Sequence, residues 1–68
     1  MIIGKEIVQT IADCEQVLKN LQTFVEKTED QAVKQLYEHL AEQQKQIIAE
    51  LNERLQYIEQ EAPQIDLN

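Results

Sequence analysis

The feature that most constrains this chain is a long run, between residues 32 and 58, in which apolar residues recur every three or four positions. This spacing places them on one side of an α-helix. They are Val33, Leu36, Tyr37, Leu40, Ile47, Ile48, Leu51, Leu55 and Ile58. The core-facing row consists of positions 33, 37, 40, 44, 48, 51, 55 and 58. Gln44 occupies one of these positions, and we expect its side chain to hydrogen-bond across a helical bundle. The pattern predicts a helix over about 31–61, before Pro63 stops it.

A second apolar row comes earlier, with the alternating steps of four and three residues that are typical of packed helices. Its members are Ile7, Ile11, Cys14, Leu18, Leu21 and Val25. Val17 and Phe24 flank this row on one side and Val8 flanks it on the other. The stripe is therefore broader than a strict two-position seam, which favours a helical bundle. The row predicts a first helix over about 5–27.

Residues 28–30 interrupt both patterns and predict a turn. Thr28 fits a capping box with Gln31, and Asp30 is an equally good N-cap for a helix that starts at Gln31. Two long helices joined by so short a turn predict an all-α fold, an antiparallel two-helix hairpin. One continuous helix is the alternative, because the turn contains no Gly or Pro. Residues 62–68 are expected to form a tail.

Length and charge limit the class of protein. The chain allows one small domain over residues 1–68. Small domains usually need disulfides, a metal or a partner chain, and the single cysteine, Cys14, excludes an internal disulfide. The net charge of −7 disfavours nucleic acid and anionic membrane surfaces as partners. We expect no signal peptide and no membrane insertion, and therefore a cytoplasmic location.

The apolar stripes are wider than one hairpin can cover, because each helix shields only one side of its neighbour. Five apolar side chains beside the seam are expected to stay partly exposed in a lone hairpin, at about 1.5–3 kcal/mol each. They are Val8, Val17, Phe24, Ile48 and Leu55. Pairing two hairpins into a four-helix bundle buries them, and twofold symmetry is the commonest arrangement. The sequence thus predicts a homodimer, with these residues at the dimer or partner interface.

No residues form a catalytic or metal-binding pattern. His39 is the single histidine, and the Glu-x-x-His motif of di-metal bundles is absent because position 36 is leucine. Cys14 lies in the apolar row, where a cysteine acts as a small hydrophobic residue. The chain contains no serine, and no threonine is spaced to pair with the histidine. We expect no enzymatic activity, no metal and no cofactor.

Arg54 and Tyr57 are the candidates for a recognition patch, since both residue types are common interface anchors. The alternative is a structural role, in which Arg54 pairs with Glu50 one turn earlier and Tyr57 lies at the rim of the core. The sequence leaves both interpretations open.

A set of spaced residues, strongest between 24 and 64, carries a resemblance to a known family. The set is Phe24, Thr28-Glu29-Asp30, Ala32, Leu36-Tyr37, Ala41, Leu51, Arg54, Ile58, and Glu59 through Glu61-Ala62-Pro63-Gln64. It resembles the domain of unknown function 1657 family, short proteins of endospore-forming Firmicutes that are often encoded near genes of the spore-germination channel for dipicolinic acid. The resemblance implies no activity or cofactor. It implies spore association, with the forespore or spore core as the specific location.

Three functional hypotheses follow. The first is a small non-enzymatic interaction protein of sporulation or germination that works as a homodimer, with a spore membrane protein or a homologous domain as a further partner. The second is a ligand-binding bundle that holds a small molecule or a metal, with Tyr37, His39 and Gln44 as polar candidates. The third is a structural coiled coil with no partner beyond itself.

Overall fold

Two helices make up the fold. The structure is a computed structural model that describes residues 2–61, with side chains for residues 4–60. Helix α1 spans Ile2–Lys27 and helix α2 spans Gln31–Glu61. The predicted tail, including Pro63, lies outside the described residues.

The helices pack side by side and antiparallel. The Gln44 side-chain Nε2 donates a hydrogen bond to the backbone carbonyl of Cys14 at 2.9 Å, as expected for a polar residue in the core row. Nearer the turn, the rings of Phe24 and Tyr37 lie with their centroids 4.4 Å apart. Both contacts join residues far apart in sequence, so one continuous helix is excluded. The all-α hairpin is confirmed.

The first helix begins at Ile2, three residues before the predicted start near Lys5. Gly4 lies inside its first turns and is buried. A glycine costs a helix only about 0.5–1 kcal/mol relative to alanine. Gly4 therefore does not delay the start of α1.

Asp30, and not Thr28, caps α2. The Asp30 Oδ1 accepts a hydrogen bond from the Val33 N–H at 3.1 Å, and the Asp30 carbonyl accepts from the Lys34 N–H at 2.8 Å. This is the geometry of an N-cap, which satisfies a free N–H of the first helical turn. The Thr28 hydroxyl has a different role, since it accepts from the Asp30 N–H at 3.3 Å.

Replacing Asp30 by alanine is expected to lower the free energy of unfolding by about 1 kcal/mol, because the Val33 N–H loses its acceptor. Urea denaturation followed by circular dichroism measures this. Glu29→Ala is the matched control, since it removes the same charge from an exposed neighbour. Equal losses in both variants would show that charge near the helix end, and not the cap, matters.

The core between the helices is thin. Every side chain of the two predicted rows is buried or partly buried, so the rows do face each other. Ile11, at 9% exposure, and Ala41, at 6%, are the buried hydrophobic residues among residues 4–60, and no side chain in that range is fully buried. The hairpin thus leaves much of its own seam in contact with water.

Candidate interaction surface

A pair of helices is one layer thick, so the hairpin has two broad faces. Because the helices run in opposite directions, the residue just before a core position points to the same face on both. Of these residues, positions 10, 17 and 24 of α1 and positions 36, 43, 47 and 54 of α2 lie nearest the seam on one face. Four of these seven side chains are large and apolar.

We call this surface the apolar face and define it by Val17, Phe24, Leu36, Ile47 and, at its edge, Tyr57. Their exposed fractions lie between 41% and 52%. The other three of the seven flank positions hold Thr10, Gln43 and Arg54, so the row carries one charge, near the open end, in a chain of which 28% is charged. A half-exposed, mostly apolar row of this kind is typical of a surface that another protein covers.

The opposite surface, the polar face, is different in character. It holds a shallow groove lined by Gln22, Val25, Glu26, Glu38, Ala41, Glu42 and Lys45. Lys45 Nζ forms an exposed ion pair with Glu42 Oε2 at 3.1 Å. Val8, 52% exposed, lies on this side of α1 in the same row as Glu15 and Gln22. A single apolar side chain among charges is ordinary surface.

The five residues predicted at an interface are divided among three places. Val17 and Phe24 lie on the apolar face and Val8 lies on the polar face. Ile48 and Leu55 lie in the seam and are partly buried by α1. Their role at an interface stays a prediction.

Leu36, Ile47 and Tyr57 were not in that set, although they are among the most exposed apolar side chains. A sequence signal does exist for Ile47. The step of four residues from Gln44 to Ile48 moves the core row onto Ile48 and leaves Ile47 on the flank.

Arg54 and Tyr57 contact each other at the open end of the hairpin. The Arg54 guanidinium carbon lies 5.0 Å from the centroid of the Tyr57 ring, within the range of a cation–π interaction. Glu50, the alternative partner of Arg54, instead accepts a hydrogen bond from Gln46 Nε2 at 3.4 Å. Tyr57 is 50% exposed, so the pair is accessible. Recognition by this pair stays a prediction.

The polar side chains proposed for a ligand site do not converge. Gln44 is bonded to the Cys14 carbonyl, and Tyr37 packs on Phe24 about two turns away. His39 is exposed on α2. Within the part of the chain that the structure describes, no three His, Cys, Asp or Glu side chains are placed to hold a metal ion. Over the same residues, neither helix combines the length and apolarity needed to cross a membrane.

A comparison with known protein families identifies the family of this chain. A family model described as "Protein of unknown function (DUF1657)" matches residues 7–55. The chain belongs to this family. The resemblance seen in the sequence is therefore confirmed. No curated protein matches the chain, and no solved structure does.

The extent of the DUF1657 match is informative. It begins at Ile7 and ends at Leu55, so it includes the turn and most of both helices. Val17, Phe24, Leu36 and Ile47 all lie within it. The match thus covers the hairpin as a unit, and with it most of the apolar face.

Proposed function

We propose that this DUF1657 protein is a non-enzymatic interaction protein that works as a homodimer, two hairpins packed into a four-helix bundle. The observation that carries the proposal is the apolar face beside a thin core. Four large apolar side chains on one face are each at least 41% exposed, while only Ile11 and Ala41 are buried hydrophobic residues among residues 4–60.

The energetic reason is the marginal stability of a lone hairpin. Leaving such side chains half exposed forfeits roughly 1 kcal/mol each, judged against about 1.5–3 kcal/mol for full burial. Small domains have a total stability of about 5–15 kcal/mol. A contact that buries several such side chains at once therefore shifts the equilibrium from the unfolded chain toward the folded one.

A role in sporulation or germination enters this proposal through the family resemblance. In the proposed dimer the polar face, with its groove beside Glu26, Glu38 and Glu42, stays accessible. That face is then available to a further partner, for which the resemblance points to a spore membrane protein or a homologous domain. A cytoplasmic or forespore location is part of the same proposal.

Sedimentation equilibrium tests self-association directly. At micromolar concentrations we expect a mass of twice 8.0 kDa, and a thermal midpoint that rises with protein concentration because dimerisation stabilises the folded chain. A helical species that sediments as a monomer at tens of micromolar, with a midpoint independent of concentration, would exclude the dimer.

A further inference from the structure

We infer that the occupant of the apolar face is a second copy of the same chain, turned end for end, with a twofold axis passing near Ile47. This inference rests on the proposed dimer and adds its geometry. In this arrangement α2 packs on α2 of the second copy, α1 packs on α1, and the two turns lie at opposite ends.

The register of the hairpin locates the middle of the apolar face. The contacts Cys14–Gln44 and Phe24–Tyr37 join residues whose numbers add to 58 and 61, so Ile47 lies level with residues 11–14 of α1. That level is close to the midpoint of Ile2–Lys27 and of Gln31–Glu61. An axis through Ile47 therefore divides both helices almost equally.

The spacing along α2 is nearly symmetric about this level. Leu36 precedes Ile47 by eleven residues and Tyr57 follows it by ten, which is about 16 Å in each direction. A twofold axis at Ile47 packs this side chain against its own copy. It also brings Leu36 level with Tyr57 of the second copy, so that each exposed apolar side chain of α2 meets another.

The same axis pairs residues of α1. Val17 comes level with residues 5–11 of the second copy, where Thr10 occupies the same flank. The Thr10 hydroxyl already donates a hydrogen bond to the Glu6 carbonyl at 2.8 Å. Its burial therefore leaves no unmatched donor, and its methyl group is available to pack on Val17.

Area and charge agree with a second copy as the occupant. The broad face is 51 Å long and 15 Å wide, which gives a second copy room to contact both helices along their length, and a stable interface buries about 800 Å² on each partner. With a net charge of −7, two copies repel each other, and the repulsion is weakest when their acidic side chains lie away from the contact. The seven flank positions of the apolar face hold no acidic residue, and their single charge, on Arg54, is opposite in sign to the net charge.

The other symmetric arrangement fits less well. If both turns lay at the same end, α1 would pack on α2 of the second copy. Phe24 would then face Leu36, since their numbers add to 60, but Val17 would face Gln43. Ile47 would lie level with residues 11–14, between the flank positions Thr10 and Val17. Only one type of apolar pair would form.

Disulfide trapping distinguishes the two arrangements. In a Cys14→Ala background, Ile47→Cys places two thiols beside the axis, and we expect the purified protein to form a disulfide-linked dimer on mild oxidation. Leu36→Cys is the matched control, because its two copies would be about 32 Å apart along the bundle. It should give several-fold less linked dimer.

A mixture of Phe24→Cys and Leu36→Cys chains, in the same background, tests the alternative. Heterodimer linked between these positions, without linkage at Ile47, would overturn the inference and leave the proposed dimer intact. A distance measurement between spin labels at Leu36 gives an independent readout that needs no bond to form. About 30 Å supports the end-for-end dimer, and a separation below about 20 Å contradicts it. A monomer in sedimentation would remove both proposals.

Discussion

Replacing Ile11 by alanine is expected to lower the free energy of unfolding by about 2–5 kcal/mol, the usual cost of truncating a buried isoleucine. At 9% exposure, Ile11 is the one large hydrophobic side chain that is buried among residues 4–60. The surrounding seam side chains are only partly buried, so few contacts remain to compensate for its loss. We expect a large part of the chain to be unfolded at room temperature.

Val8→Ala is the control for this experiment. It removes two methyl groups from a side chain that is 52% exposed on the same helix, and it should cost well under about 1 kcal/mol, since surface substitutions usually do. Urea denaturation at one fixed protein concentration compares the two variants. If both lose the same small amount, the seam at Ile11 does not hold the hairpin together.

Replacing Ile47 by aspartate is expected to dissociate the proposed dimer, raising its Kd at least about a hundredfold, which corresponds to about 2.7 kcal/mol. In the end-for-end arrangement the substitution removes an apolar contact from both copies and places two carboxylates opposite each other at the axis. Sedimentation over a range of concentrations measures the Kd. Circular dichroism at the highest concentration shows whether the separated chains keep their helices.

Val8→Asp supplies the matched control, because it makes a comparable apolar-to-acidic change at a similarly exposed position on the polar face. Its Kd should stay within about threefold of the unmodified protein, as expected for a substitution outside the contact. If Val8→Asp dissociates the dimer while Ile47→Asp does not, the interface lies on the polar face. Strong dissociation by both would place Val8 in an interface too, as the sequence pattern proposed.

The turn shows how far local sequence rules extend. Thr28 and Asp30 are both good N-cap residues, and the choice between them depends on where the backbone leaves α1. The structure places the Asp30 carboxylate, and not the Thr28 hydroxyl, within reach of the N–H of Val33. Composition alone does not separate two caps that are two residues apart.

The sequence by itself determined the properties that one helix carries alone. The spacing of Ile7, Ile11 and Cys14, and of Leu51, Leu55 and Ile58, identified the buried side of each helix, because that side follows from 3.6 residues per turn. The spaced residues around the turn also identified the family. These signals are local, and they do not depend on the neighbouring helix.

Only the tertiary structure decided which flanks share a face and which residues lie level with each other. A flank of α1 joins a flank of α2 only once the direction and register of packing are known, and the Gln44–Cys14 contact supplies that register. For this reason Leu36, Ile47 and Tyr57 emerged as one surface with Val17 and Phe24 in three dimensions. Ile48 and Leu55 were placed by sequence both in the core-facing row and among the residues expected to stay exposed, and the structure resolves this because α1 partly buries them in the seam.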